Sequence, residues 1–401
     1  MIGGRRAIGV AVAAAGLALV LGLTLTPAAG PDAGTFRWCL LCGDLGLSDF
    51  IANVLLFVPL AAGLVWSGVA GRRIVAAAFL LAALIEIAQL AIPGRDSTLG
   101  DVVAATLGAA LVVLARRRWA ARRSARAGLL AAAAAWAVIA ATGFALRPSL
   151  PPTVWYGQWT AALGQFEWYR GRLLSVALGG TPLGDGRLDD SRGARERLAA
   201  GEPLVVRAVA GPRTARLAPL FSVADSAYRE ILVVGADRDD LVLRVRRRAA
   251  DLGLFQPDLR WRGALAAARP GDTLALEARR GRSGYCLALD GRERCGLGYP
   301  AGRAWALVRF VPGLPAAAEA ALDCGFAALL LLPVGLLVRR NGAGAVTALV
   351  ALGGVAALAP VVGLLPTPAA QLAASAAGLG AGLLAPRAGE GADAAVNAAV
   401  G

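Results

Sequence analysis

Long apolar stretches dominate both ends of the chain and leave a more polar middle. A helix that crosses the ~30 Å hydrocarbon core of a bilayer needs about 20 apolar residues. The pattern predicts five such helices before residue 147 and two or three after residue 312, at 7–25, 50–69, 74–92, 102–115, 129–146, 316–338, 346–365 and 369–384. The first stretch also has the basic start and the small residues, near Ala28 and Ala29, of a cleaved signal peptide, which is an alternative interpretation.

Between residues 147 and 312 the pattern changes to short alternating stretches separated by Gly, Pro and Asp, which is typical of strands and turns. Examples are 204–209, 230–234, 240–245, 273–278 and 285–289. Many short strands with little helical period predict an all-β sandwich of the jelly-roll type. The predicted fold class is multi-domain α + β, a polytopic α-helical membrane bundle with an inserted extracytoplasmic sandwich, divided at 1–146, 147–312 and 313–401.

The positions of the arginines predict how the helices are oriented. Cytoplasmic loops of membrane proteins collect positive charge. With the N-terminus in the cytoplasm, all the arginine-rich short loops fall inside, namely those with Arg72, Arg73, Arg116, Arg117, Arg118, Arg122, Arg123, Arg126, Arg339 and Arg340. The region 147–312 then lies outside. We therefore expect a multi-pass protein of the inner (plasma) membrane with an extracytoplasmic β domain.

Composition supports a membrane protein and narrows the chemistry. The 401 residues are 57% hydrophobic and carry a formal charge of +14. We attribute this positive charge to the orientation of the membrane helices and not to a nucleic-acid partner. The chain has no histidine, so it lacks the commonest metal ligand and the usual proton shuttle at neutral pH. We expect membrane lipid as a partner and neither a metal nor a cofactor.

Four of the five cysteines lie in segments predicted to be outside. Asp290-Gly291 is a two-residue hairpin signal, and in that register Cys286 lies opposite Cys295 in a pair without hydrogen bonds, where side chains approach most closely. This predicts a disulfide, which requires an oxidising compartment. Cys39 and Cys42 form a C-x-x-C motif, for which a local disulfide or inert thiols are favoured over redox or metal chemistry, because no supporting fold is evident.

Polar residues inside the apolar helices are the candidate functional residues, because ionisable groups in a bilayer are costly. The loop between the third and fourth helices is short, so these helices are antiparallel neighbours. Depth along the helices then brings six positions together near the outer leaflet, namely Asp49, Asn53, Glu86, Gln89, Arg95 and Asp101. Such a cluster is either structural, with Arg95 paired to Glu86, or a ligand-binding site; a proton relay is a third interpretation.

The same residues resemble a known family. The stretch from Asp49 through Asn53 to Pro59, then Glu86 and Gln89, and then Arg95, Asp101 and Gly108, resembles the VanZ-like family over about residues 45–116. The resemblance implies a bacterial membrane protein, and the family is associated with resistance to the glycopeptide teicoplanin. Ala61 and Ala105 stand where the family has Gly and Asn, so the polar group of that Asn is missing from the cluster.

The predicted outer segment resembles the concanavalin A-like or laminin G-like sandwich, on the stretches 240–246 and 285–291. Some members of that superfold bind glycans, although a fold does not fix a function. A weaker pattern is internal: Asp49 precedes Pro59 by ten residues, and Asp323 precedes Pro333 by ten. This predicts a degenerate second copy of the second helix, with coincidence as the alternative.

Three functions fit these features. The leading hypothesis is a non-catalytic envelope protein that binds or shields a lipid-linked precursor or a glycan at the outer face. The second is an enzyme with Glu86 or Asp101 as acid or base, although nothing in the sequence supplies a nucleophile. The third is a transporter, which the apolar inner halves of the second to fourth helices disfavour. The sequence names no catalytic residue.

Overall fold

The computed structural model describes residues 2–27, 35–119, 124–160, 166–281 and 284–385. The predicted signal-cleavage residues Ala28 and Ala29, and the loop arginines Arg122 and Arg123, lie outside these described residues.

Helices occupy both ends of the described chain. They are α1 (Ile2–Thr24), α2 (Gly46–Trp66), α3 (Gly71–Gln89), α4 (Leu99–Trp119), α5 (Ala125–Ala145), α6 (Ser191–Ala200), α7 (Arg248–Asp251), α8 (Trp305–Val308), α9 (Ala316–Leu337), α10 (Gly342–Val361) and α11 (Ala369–Leu384). Among the described residues, six helices are long and apolar enough to cross a membrane, namely α1, α2, α4, α5, α9 and α10. Of the other two long helices, α3 carries three charged side chains and α11 has 16 residues.

Fourteen strands are present in the described part of the chain. They are β1 (Phe36–Arg37), β2 (Ser97–Thr98), β3 (Trp155–Trp159), β4 (Arg172–Leu178), β5 (Thr181–Pro182), β6 (Gly186–Arg187), β7 (Leu204–Val209), β8 (Ala218–Asp225), β9 (Glu230–Asp237), β10 (Asp240–Val245), β11 (Leu259–Trp261), β12 (Thr273–Gly281), β13 (Gly284–Leu289) and β14 (Arg292–Leu297). Strands β1 and β2 form a short parallel pair between the helices.

The remaining strands form a β-sandwich, so the predicted α + β fold class is confirmed. One antiparallel sheet has the order β11-β10-β9-β8-β3-β6, and the other has the order β14-β13-β12-β7-β4-β5. Alternation decides which side chains enter the core: in β7, Leu204, Val206 and Ala208 are buried and the residues between them are exposed. Trp155 and Phe221 are among the largest fully buried side chains of this core.

The helices divide into two packing groups. Helices α1 to α4 share one apolar core, while α5 packs against α9 and α10, and α9 packs against α11. The predicted division at residue 146 placed α5 with the first four helices, but its contacts are with the C-terminal helices. Small residues allow close packing in both groups, since a side chain at Gly63 would collide with the backbone of Ala13, and one at Gly335 with the backbone of Leu379.

Helix ends that touch the sandwich lie at one end of the bundle. At this end the N–H of Ser48 donates to the oxygen of Gly253 at 2.9 Å, and the N–H of Leu365 donates to the oxygen of Tyr299 at 3.0 Å. At the opposite end, Arg116 donates to the oxygen of Val65. Arg116, which follows the fourth predicted membrane helix, therefore lies at the end away from the sandwich.

Candidate functional site

Two disulfides lie at the sandwich side of the molecule, Cys39–Cys42 and Cys286–Cys295. Asp290 and Gly291 form the turn between β13 and β14 with φ of 48° and 78°, as a two-residue hairpin requires. The predicted register holds for the three pairs next to the turn and then shifts by one residue between Tyr285 and Leu287, so the disulfide lies at an irregular step of the ladder.

The candidate carboxylates are positioned by three helix ends. Asp49 lies in the first turn of α2 and Asp101 in the first turn of α4, where a negative charge is favoured by the positive end of the helix dipole. Glu86 lies in the last turn of α3, which approaches them because the connection to α4 is short. The carboxylates of Glu86 and Asp101 interact electrostatically, and so do those of Asp101 and Asp49.

Neutral donors hold these acids in place. The amide of Asn53 donates to Oδ1 of Asp101 at 2.6 Å, and the backbone N–H of Thr98 donates to Oε2 of Glu86 at 2.7 Å. The hydroxyl of Thr98 accepts from the N–H of Asp101 at 3.1 Å. The β2 residue Thr98 therefore connects the two acids. We call Asp49, Asn53, Glu86 and Asp101 the acidic cluster.

Gln89 and Arg95 do not join this cluster. Gln89 donates to the oxygen of Thr24 at 2.9 Å, and Arg95 donates to the oxygens of Leu23 at 2.6 Å and Thr26 at 2.9 Å. The prediction that Arg95 pairs with Glu86 is therefore wrong. The reason is that the C-terminal end of α1 offers carbonyl groups without helical partners, which attract such donors.

One cation that acts on the cluster comes from a segment that the sequence analysis did not single out. Arg309, which follows α8, interacts electrostatically with Asp49. No ion pair joins Asp49, Glu86 or Asp101 to an arginine among the residues that the structure describes.

Exposure varies across the acidic cluster. Asp49 is exposed, Asp101 and Asn53 are half-buried, and Glu86 is buried at 5% of its possible surface. Carboxylates held by neutral donors keep further acceptor capacity, because each ionised carboxylate offers about four lone-pair sites. The arrangement can therefore accept further hydrogen bonds from hydroxyl or amine groups.

A second group of acids lies where α9 meets the sandwich, and it is fully paired. Arg303 donates to Asp323 at 2.8 Å and to Glu319 at 2.7 Å, and the indole N–H of Trp305 donates to Asp323 at 2.8 Å. Arg262 donates to the other oxygen of Glu319 at 2.6 Å. We call these five residues the junction cluster. The sequence signal that could have revealed this cluster is the spacing of four residues between Glu319 and Asp323, which places both acids on one face of a helix.

One comparison with known proteins finds a similarity in the N-terminal helices. The family model described as VanZ/LLP1 matches residues 20–119, which include α2, α3, α4 and the whole acidic cluster. No curated protein and no solved structure matches the chain. The chain is therefore a multi-pass membrane protein in which about the first quarter is similar to the VanZ/LLP1 family, and its β-sandwich follows that region.

Proposed function

We propose that this protein binds or shields a lipid-linked or glycan ligand at the outer face of the bacterial plasma membrane, through the acidic cluster. The observation that carries the proposal is that Asp101 interacts electrostatically with both Glu86 and Asp49, while no ion pair joins these acids to an arginine in the described residues. Purely structural acids in apolar surroundings are normally paired. A ligand with sugar hydroxyls or an amine would supply the missing donors.

We propose further that the N-terminus is cytoplasmic and the sandwich extracytoplasmic. The two disulfides support this orientation, because disulfides persist in oxidising compartments. The arginine-rich helix ends at the other side of the bundle support it independently. In this orientation the acidic cluster lies in the outer leaflet, where envelope precursors are displayed.

We assign residues 147–312 to a sandwich of the concanavalin A-like or laminin G-like type. Its two antiparallel six-stranded sheets fit that architecture. The VanZ family's association with teicoplanin resistance then suggests a role in shielding the envelope from glycopeptides. In this proposal the helices recognise the ligand and the sandwich covers them from outside.

The test is teicoplanin susceptibility of a sensitive bacterium that expresses the chain. Glu86→Gln and Asp101→Asn should abolish protection at unchanged protein abundance, because both remove a charged acceptor and keep the side-chain volume. Asp44→Asn, in an exposed loop next to α2, is the matched control and should protect as the parent does. Native mass spectrometry of the purified parent should show a bound envelope lipid that both cluster variants lose.

Two results would contradict the proposal. One is protection that follows protein abundance across all variants, which would make the acids structural. The other is a parent protein that carries no ligand and gives no protection.

A further inference from the structure

A cavity lies between the two sheets of the sandwich, away from the acidic cluster. Its volume is about 420 Å³, within the ~300–1,000 Å³ typical of small-molecule sites. Leu220 and Leu241 line it from one sheet, and Leu274 and Leu276 line it from the other. All four side chains are buried, so the cavity extends into the core of the sandwich.

The buried part of the cavity offers few free polar groups. The hydroxyl of Thr214 donates to the oxygen of Ala236 at 3.3 Å and accepts from the N–H of Arg238 at 3.1 Å. The hydroxyl of Tyr169 donates to the oxygen of Val209 at 3.0 Å. A sugar placed here would lose its hydrogen bonds to water and find no replacement, whereas a hydrocarbon chain would lose nothing.

The mouth of the cavity is positively charged. Arg213 and Arg238 are exposed at its rim, and Arg213 is paired with Asp239. Arg238 makes no ion pair among the described residues, and its backbone is in the left-handed region with φ of 56°, which is costly for a residue other than glycine. The rim therefore carries one uncompensated positive charge.

The mouth also lies near the bundle. The guanidinium of Arg238 is 3.2 Å from the position that a side chain on Gly313 would take, and α9 begins three residues later at Ala316. A lipid in the leaflet next to the sandwich would therefore have its headgroup near Arg238.

We propose that this cavity is a binding site for the acyl chain of an anionic amphiphile taken from the adjacent leaflet. The chain lies between the sheets and the headgroup lies against Arg238. Burial of hydrocarbon provides the affinity, at about 0.8 kcal/mol for each CH₂ group. The rim arginine selects anionic headgroups over neutral ones.

The experiment is photolabelling of the full chain in nanodiscs of phosphatidylcholine. Three probes carry a diazirine on a long acyl chain: a fatty acid, the corresponding fatty alcohol, and a phosphatidylglycerol built into the disc. We expect labelled peptides from β8, β10 and β12, and competition by an unlabelled fatty acid. Labelling by the phosphatidylglycerol identifies a bilayer lipid as the occupant, and labelling by the fatty acid alone identifies a free amphiphile.

Two variants test the two parts of the site. Ala236→Leu fills the cavity and should reduce labelling by every probe while raising the thermal midpoint of the sandwich. Arg238→Gln should weaken labelling by the anionic probes about tenfold and leave the fatty alcohol unchanged. Arg294→Gln, at an exposed arginine on β14, is the matched control and should label as the parent does.

The proposal fails if label appears only on the helices, or if Ala236→Leu folds and labels like the parent. The proposed selection of anionic headgroups by Arg238 fails if Arg238→Gln weakens labelling by all three probes equally. None of these readouts depends on the acidic cluster, so the two proposals can fail separately.

Discussion

The acidic cluster and the junction cluster lie at the same end of the helical bundle but are paired differently. In the junction cluster, Arg303 contacts both Asp323 and Glu319, and Trp305 adds a neutral donor. In the acidic cluster, Glu86 and Asp101 are held by a backbone N–H and an amide. The first arrangement pairs its carboxylates with arginines of the protein, whereas in the second no ion pair joins the carboxylates to an arginine among the described residues.

This difference in pairing distinguishes two roles of acidic residues that the sequence pattern could not distinguish. Asp49 and Asp323 both precede a helical proline by ten residues, and both α2 and α9 begin at the sandwich end. Yet Asp49 is exposed in the first turn of α2, whereas Asp323 is buried at 4% in the second turn of α9. A similar spacing therefore supports a junction between domains in one case and a candidate ligand site in the other.

The largest expected effect is on the junction cluster. Arg303→Met would leave Asp323 and Glu319 without their shared partner in a mostly buried position. Breaking such a pair from one side typically costs about 3–5 kcal/mol. We expect the free energy of unfolding to fall by that amount, measured from tryptophan fluorescence of the full chain in nanodiscs.

The control for this change is Arg279→Met in the sandwich. Arg279 pairs with Glu293, but both side chains are more than 40% exposed, so the change should cost at most about 1 kcal/mol. Equal losses for the two variants would show that burial does not distinguish the junction cluster from an ordinary surface pair.

A smaller effect is expected at a paired acid within the sandwich, Asp225. Burial opposes ionisation of Asp225, but hydrogen bonds from the side chain and backbone of Arg229 and from the N–H of Ala227 outweigh it and lower its pKa below 3.8. A lowered folded-state pKa contributes stability that is complete above the unfolded value and is lost as the pH falls through the folded value. Asp225→Asn should therefore cost about 1–3 kcal/mol at pH 7 and weaken the acid dependence of unfolding below pH 3.8.

Asp189→Asn provides the comparison for that measurement, because Asp189 is exposed in the connection between β6 and α6. Its free energy of unfolding at pH 7 should equal that of the parent to within about 0.5 kcal/mol, as for other surface substitutions. An Asp225→Asn variant with the full acid dependence of the parent would contradict the assignment.

Elements whose ends are marked by Gly, Pro or Asp could be predicted from the sequence almost to the residue. Helix α11 and strands β7 and β10 have the predicted bounds, because apolar residues end abruptly at Gly, Pro or Asp on at least one side. Helix α2 begins four residues before the predicted start, at Gly46. Its first turn is polar, so a count of apolar residues cannot find it.

Helix α6 was missed for a related reason. It is mostly polar and buries only Ala194, so it has no apolar stripe to detect. Its caps were the available signal, since Asp190 accepts from the N–H of Gly193 at 2.8 Å and Gly201 ends the helix with φ of 80°.

The candidate site was only partly predictable. The spacing of the residues predicted that Asn53, Glu86 and Asp101 lie at the same end of the helical bundle. The reason is that two antiparallel helices joined by a short loop have their connected ends side by side. The hydrogen-bond partners of Arg95 could not be predicted from this spacing. The sequence neighbour Glu86 was an obvious choice, but the end of α1, about 70 residues away in the chain, lies closer to the guanidinium.

The smallest expected effects test whether Arg95 and Glu86 are independent. Arg95→Gln removes hydrogen bonds to the end of α1 and should cost about 1 kcal/mol. Glu86→Gln keeps an oxygen for the N–H of Thr98 and removes one charge from acids that repel one another. It should therefore change the free energy of unfolding by less than about 1 kcal/mol, in the stabilising direction.

The double variant decides between the observed contacts and an ion pair. Because Arg95 and Glu86 share no partner in the described structure, the two changes should add to within about 0.5 kcal/mol. An ion pair would instead make each single change destabilising and the double variant less destabilised than their sum. A coupling of that sign larger than about 1 kcal/mol would restore Arg95 as the counter-ion of Glu86, and the acidic cluster would then be neutralised from within, like the junction cluster.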